Sequence, residues 1–151
     1  MIHAPKTRFA MIGAGAIAQT YAQAFSQCRS AQLIGVADTR ADAAEAMANT
    51  LGCRSFSCYR TMIEELSPEA VVVCTPPISH PEISRWLLHR GIHVLCEKPL
   101  AIDSTSARHM FEAAEAGGAK LTMATKFRFV DDVVRAKAIV ASGILGDIVL
   151  F

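Results

Sequence analysis

Four short groups of polar or backbone-exposing residues stand where apolar runs of this chain break off. They are Gly13-Ala14-Gly15, Asp38, Thr75-Pro76-Pro77 and Glu97-Lys98-Pro99. The first follows Arg8-Phe9-Ala10-Met11-Ile12 and precedes residues with helical period. A first glycine permits a tight turn, and a second lets a pyrophosphate approach the backbone. The free N–H groups of Ala16 and Ile17, at the positive end of the helix, then suit an anion. Ala18 stands where a third glycine often stands, and a small side chain is sufficient for helix–strand packing there. Taken alone, a Gly-x-Gly is also an ordinary turn.

Asp38 strengthens the phosphate reading. It ends a second apolar run, Gln32–Ala37, 20 residues after Ala18. At that distance a carboxylate is placed to accept from the hydroxyls of an adenosine ribose. Its charge would repel a 2′-phosphate, which favours NAD over NADP. Arg40 works against that inference, because it could stack on adenine or face a phosphate.

Lys98 is the candidate for proton chemistry. A lysine at a strand end can offer a positive charge or a proton to a substrate oxygen. Glu97 could hold the nicotinamide ribose or offset the lysine's charge. Pro99 raises the chance of a cis Lys98–Pro99 bond. Thr75 and Pro76 would fix the backbone beside the path of a cofactor. His80 is a further candidate contact, set in an apparent capping box Ser79-His80-Pro81-Glu82, where a structural role competes with a chemical one. Arg128 could reach a nicotinamide amide or a substrate group, or be a solvated cation.

Alternating elements must position these residues. Runs at Arg8–Ile12, Gln32–Asp38, Val71–Cys74, His93–Cys96 and Lys120–Thr125 read as strands, with a short one at Cys53–Ser57 and a closing one from Gly146. Helical faces lie between them. One is Ile17, Tyr21, Ala24, Phe25 and Cys28; another is Ala107, Met110, Phe111 and Ala114. Ala44, Met47, Ala48 and Leu51 mark a further helix and Ile83, Trp86, Leu87 and Arg90 another, and Tyr59–Leu66 and Val130–Ser142 complete the helical set. Strict alternation implies a doubly wound parallel α/β sheet of Rossmann type, with helices on both faces and ligands beyond the carboxyl ends of the strands.

Composition agrees. Hydrophobic residues make up 52% of 151 and charged residues 19%, which suits strands buried on both faces. The net charge of +1 gives no electrostatic case for nucleic acid or a membrane surface. Five scattered cysteines without a Cys-x-x-Cys pair point to reduced thiols, no metal site and a cytoplasmic setting.

Taken in order, Gly13-Ala14-Gly15-Ala16-Ile17-Ala18, Asp38, Thr75-Pro76-Pro77-Ile78-Ser79-His80, Glu97-Lys98-Pro99 and Arg128 resemble the N-terminal domain of the Gfo/Idh/MocA family of oxidoreductases. The resemblance implies NAD(P)-dependent hydride transfer to or from a sugar, cyclitol or related polyol. It implies that Lys98 is the catalytic lysine, Glu97 a cofactor-ribose contact and Asp38 the adenosine-ribose acid, in a homo-oligomer. It also implies residues 1–145 as the dinucleotide-binding domain and 146–151 as the start of a second, substrate-binding domain, so that this chain alone binds cofactor and turns over substrate poorly. A non-catalytic dinucleotide-binding module or sensor, and a glycoside-cleaving member that uses NAD transiently, are the competing readings.

Overall fold

The computed structural model describes residues 5–149. Six strands form one parallel sheet: β1 (Thr7–Ile12), β2 (Ala31–Ala37), β3 (Arg54–Phe56), β4 (Ala70–Val73), β5 (His93–Cys96) and β6 (Leu121–Met123). Their spatial order is β3-β2-β1-β4-β5-β6. The order reverses between β1 and β4, which opens a crevice at the carboxyl edge of the sheet.

Side chains alternate across the sheet, and each face has its own core. Met11, Val36 and Val72 point to one face, where they meet α1 (Ala16–Gln27) and α2 (Ala41–Leu51) through Ala18, Ala22 and Met47. Ala10, Ile12, Val71, Val73, Val94 and Cys96 point to the other. There they meet α3 (Tyr59–Leu66), α4 (His80–Leu88) and α5 (Ser104–Gly117). Val71, Val72 and Val73 are each wholly buried. Burial of each is worth roughly 1.5–3 kcal/mol relative to exposure. A strand covered on both faces has no reason to alternate polar residues, which explains the continuous run.

Registry then decides the site. A one-residue irregularity between β1 and β2 pairs Phe9 with Leu33 but Ala10 with Gly35. Ile12 consequently pairs with Ala37 on one side and Val73 on the other, while Val73 pairs with Cys96 and Ala37 with Phe56. The next residue of each strand therefore emerges level with its neighbours: Ser57, Asp38, Gly13, Cys74 and Glu97 form one row. With strands about 4.8 Å apart, Asp38 and Glu97 stand about 14 Å apart along it.

Several expectations need correction. The face of α1 is turned by one residue: Ala18 and Ala22 are buried, whereas Ile17 is 42% exposed and Ala24 is exposed. Small side chains let α1 lie close to the sheet, and Ile17 does not fit beneath it. Phe111 is likewise exposed, with Met110, Ala113 and Ala114 forming the buried face of α5. The capping box does not form. A 3-10 turn at Pro77–Ser79 precedes α4, and Ser79 makes no cap bond to it. Its hydroxyl bonds Thr75 Oγ1 and the Pro76 carbonyl instead, each at 2.8 Å. The cap does form on α5, where Asp103 accepts from the Ser106 N–H at 2.7 Å. The helix expected over 130–142 is α6 (Asp131–Ala141), preceded by a 3-10 turn at Lys126–Phe129. Of the closing strand, Gly146–Val149 is irregular and pairs with no strand among the described residues, and residues 150–151 lie outside them. No helix of the described residues is long and apolar enough to cross a membrane.

Candidate dinucleotide site

A cleft of about 750 Å³ opens along the row, between the ends of β1, β2 and β4. Gly13, Gly15, Asp38, Arg40, Thr75 and Pro76 line it, as the sequence implied. The β3–α3 turn adds Ser57, Cys58 and Tyr59. These last three carry no motif; only their place after a strand could have marked them.

The glycine turn fits an anion in three respects. Gly13 has φ +97°, and a Cβ there would lie 2.8 Å from the Cys74 carbonyl carbon and oxygen. The turn can therefore pack against the end of β4 only as glycine. At Gly15 a Cβ would meet nothing within 4 Å, so the backbone lies open to an approaching group. No side chain caps α1, and no acidic residue of the helix's own first turn offsets its positive end.

Asp38 has a second duty that spacing could not reveal. Its Oδ2 accepts from the Ala14 N–H at 2.7 Å, and its Oδ1 from the Arg40 N–H at 2.8 Å. The carboxylate pins the glycine turn to the end of β2 while still facing the cleft. Arg40 Nε stands 3.8 Å from Oδ1, with the arginine side chain largely in solvent. The acid thus carries its own partial counterion. This lessens repulsion toward a neighbouring anion without removing it, because the exposed pair is screened.

Beyond β4 the row continues to Glu97. Its Oε1 accepts from the Tyr21 hydroxyl at 2.8 Å, and its Oε2 from the Lys98 N–H at 3.0 Å. Lys98 is exposed at the edge, and the Lys98–Pro99 bond is cis. Two thiols lie under this end. Burial, aided by the Glu97 charge, pushes Cys74 up to about 12, and burial pushes Cys96 up to about 11. Both stay protonated and inert at neutral pH. Cys58 differs: N–H groups of Thr61 and Arg60 at the start of α3 hold its exposed thiol below the ordinary range.

Six residues expected at the site, Glu97 and Lys98 with Ala16, Ile17, His80 and Arg128, are not among those lining the cleft. His80 is wholly buried and presents no surface to the cleft. Its Nε2 lies 2.8 Å from the Thr75 carbonyl oxygen and its Nδ1 3.0 Å from that of Pro99. The ring is a strut between the turns after β4 and β5. Ala16 and Ile17 contribute backbone at the start of α1, with their side chains exposed. Arg128 is exposed in the turn after β6, away from the cleft lining.

The family model described as "Oxidoreductase family, NAD-binding Rossmann fold" matches residues 7–125. Among curated relatives, glucose-6-phosphate 3-dehydrogenase of Bacillus subtilis is 33% identical over 141 residues, covering 93% of this chain and 40% of the relative. Inositol 2-dehydrogenase of Rhizobium meliloti is 32% identical over 144 residues, covering 93% and 42%. The crystal structure of the WlbA dehydrogenase from Bordetella pertussis, in complex with NADH and UDP-GlcNAcA, superposes with a TM-score of 0.89 at 28% identity, covering 93% of this chain and 43% of that one. The chain thus spans about two-fifths of the length of the curated relatives it matches. With the glycine turn, the Asp38 acid and the 3-2-1-4-5-6 sheet all in place, this chain belongs to the Gfo/Idh/MocA oxidoreductase family, whose NAD-binding Rossmann fold its residues 7–125 form.

Proposed function

We propose that this chain is the cofactor-binding portion of an NAD-dependent oxidoreductase acting on a hydroxyl-bearing carbon of a sugar, a cyclitol or a related polyol. The observation that carries this reading is the row Asp38–Gly13–Cys74–Glu97 at one sheet edge, with an acid on each side of an open glycine turn. That spacing suits two ribosyl groups flanking a pyrophosphate. Relatives that act on glucose 6-phosphate and inositol supply the substrate class.

Each residue then has a task. The N–H groups of Ala16 and Ile17 and the backbone at Gly15 receive the pyrophosphate. Asp38 accepts from adenosine-ribose hydroxyls, and Glu97 from those of the nicotinamide ribose. NAD, when bound, takes up or returns the hydride. Lys98, as its free amine, takes the proton of the substrate hydroxyl during oxidation and returns it during reduction. Thr75 and Pro76 form the wall of the cleft beyond the glycine turn. Arg128 offers a cation on the β6 side of the row. The Asp38 carboxylate favours NAD over NADP, although a family structure, KijD10 from Actinomadura kijaniata, is in complex with NADP. Residues 1–145 make up the cofactor unit, and 146–151 lead into a substrate-binding unit. Five free thiols suit a reducing, cytoplasmic setting. A homo-oligomer fits the exposed apolar side chains of α6, among them Val133, Val134 and Ile139.

Fluorescence titration tests the reading. The 151-residue chain binds NADH saturably and more tightly than NADPH, and it oxidises inositol or glucose derivatives slowly or not at all. Lys98→Ala leaves NADH affinity within about twofold, because a side chain that handles the substrate proton contributes little to cofactor binding. Loss of NADH binding in that variant would reassign Lys98 to the cofactor.

A further inference from the structure

Tyr21 crosses from the opening helix to the far end of the row. It lies five residues into α1, about 7.5 Å beyond the start of the helix. Its half-buried ring packs against the cluster that holds Met11, Val72 and Cys74, against which Leu95 of β5 also packs. From there its hydroxyl reaches a carboxylate 76 residues away in the chain.

We propose that Tyr21 is a positioning residue that holds the Glu97 carboxylate in one orientation toward the nicotinamide half of the cofactor. This rests on the dinucleotide reading of the cleft. Glu97 has two oxygens, and each has one fixed donor: Tyr21 Oη on Oε1 and the Lys98 N–H on Oε2. The Lys98 N–H alone leaves the side chain free to rotate, since it belongs to the neighbouring residue. The phenol comes from another element, and it fixes the carboxylate plane against α1. A hydroxyl is needed because Oε1 accepts only. The phenol remains a donor over a wide pH range: burial, and then the bonded Glu97 charge, hold its proton far above the ordinary value for tyrosine. The same bond ties the two halves of the site: the helix that receives the pyrophosphate also steadies the group that meets the distal ribose.

The contact is specific in kind. Removing one donor from a charged acceptor costs roughly tenfold in a binding constant that uses that acceptor. Binding that stops short of Glu97 is unaffected. ADP ends at the pyrophosphate and never reaches it, whereas NADH does.

A double-mutant cycle with two ligands tests the proposal. Tyr21→Phe, which keeps the ring, weakens NADH about tenfold and leaves ADP within about twofold. Glu97→Ala weakens NADH by a similar factor, and the Tyr21→Phe/Glu97→Ala pair is no weaker than Glu97→Ala alone. Unchanged NADH affinity in Tyr21→Phe, an equal loss of ADP and NADH, or multiplicative losses in the double variant would each overturn it. A cofactor-free measurement stands beside the cycle: the ultraviolet titration of Tyr21, followed in a Tyr59→Phe background, moves to lower pH in Glu97→Ala if the carboxylate stands at the phenol, and is unmoved if it does not. Failure of the wild-type chain to bind NADH while that titration does shift would defeat the dinucleotide reading, not the bond. Binding by wild type with no Tyr21→Phe effect would defeat the role of Tyr21 alone.

Discussion

Asp38 and Gly13 act as one unit at the scale of single residues. The carboxylate holds the Ala14 N–H, and the glycine beside it lies against the Cys74 backbone. The two glycines of the turn therefore have separable jobs. A methyl group at Gly13 would collide with backbone that cannot move aside, at a φ which side chains rarely adopt. One at Gly15 would stand in free space, in the path of the ligand. Gly13→Ala is expected to lower thermal stability by several degrees. Gly15→Ala keeps the melting temperature within about a degree and loses at least tenfold in NADH affinity. Calorimetry and titration on the two variants separate these roles; equal melting temperatures for Gly13→Ala and wild type would refute the first. Spacing alone made both glycines legible, but not the division of labour between them. That depends on which strand end lies opposite, a fact of registry 61 residues further along at Cys74.

At the scale of elements, the strand ends explain which residues reading could find. Val71–Val72–Val73 and Val94–Leu95–Cys96 announce buried strands, because no polar residue interrupts them. Helix ends were legible where one residue decides them, as at Asp103. They were not legible where tertiary contacts compete. Ser79 has the composition of a cap, yet its hydroxyl is bonded to Thr75 Oγ1 and the Pro76 carbonyl. His80 carries the composition of a ligand-binding residue, but its ring is spent on two carbonyls. Tyr21 had the opposite fate: its helical spacing marked it as an apolar face residue, and only the fold reveals the polar end.

The ends of β4 and β5 also carry a pH signature. Cys74 and Cys96 ionise near 9.0 in the open chain, but near 12 and 11 in the fold. Between these limits the folded chain retains protons that the unfolded chain has released. The contribution of these two thiols to stability is therefore full below pH 9, and it is lost as pH rises toward 12. Denaturant unfolding across that range should show the decline, with a shallower slope in Cys74→Ala. An equal slope in wild type and variant would mean that Cys74 takes no part.

At the scale of the whole molecule, the sheet supplies position and the edge supplies chemistry. No Asp, Glu, Lys or Arg is buried among the described residues, and the core is apolar on both faces apart from His80 and Ser84. The polar groups gather where the strands stop. Alternation of elements made this architecture legible, and the acid after the second strand fixed which edge matters. The quantity hidden from the sequence was the alignment of strand ends, which a one-residue shift beside Ile34 sets. A second feature of this scale is the exposed apolar stretch over 127–149, where Phe127, Phe129, Ile144 and Val149 are all more than half exposed. Its extent distinguishes that end of the molecule from the cleft.

The central claim is that one row of strand ends holds the dinucleotide. Amide chemical shifts of the isotopically labelled chain, followed through a titration with NADH, address it directly. The amides of Gly13 to Ile17, Asp38, Thr75 and Glu97 are expected to move together along a single saturable curve, while those of α5 stay in place. Shifts that fail to saturate, or that gather on α5 and leave Gly15 and Asp38 unmoved, would contradict it.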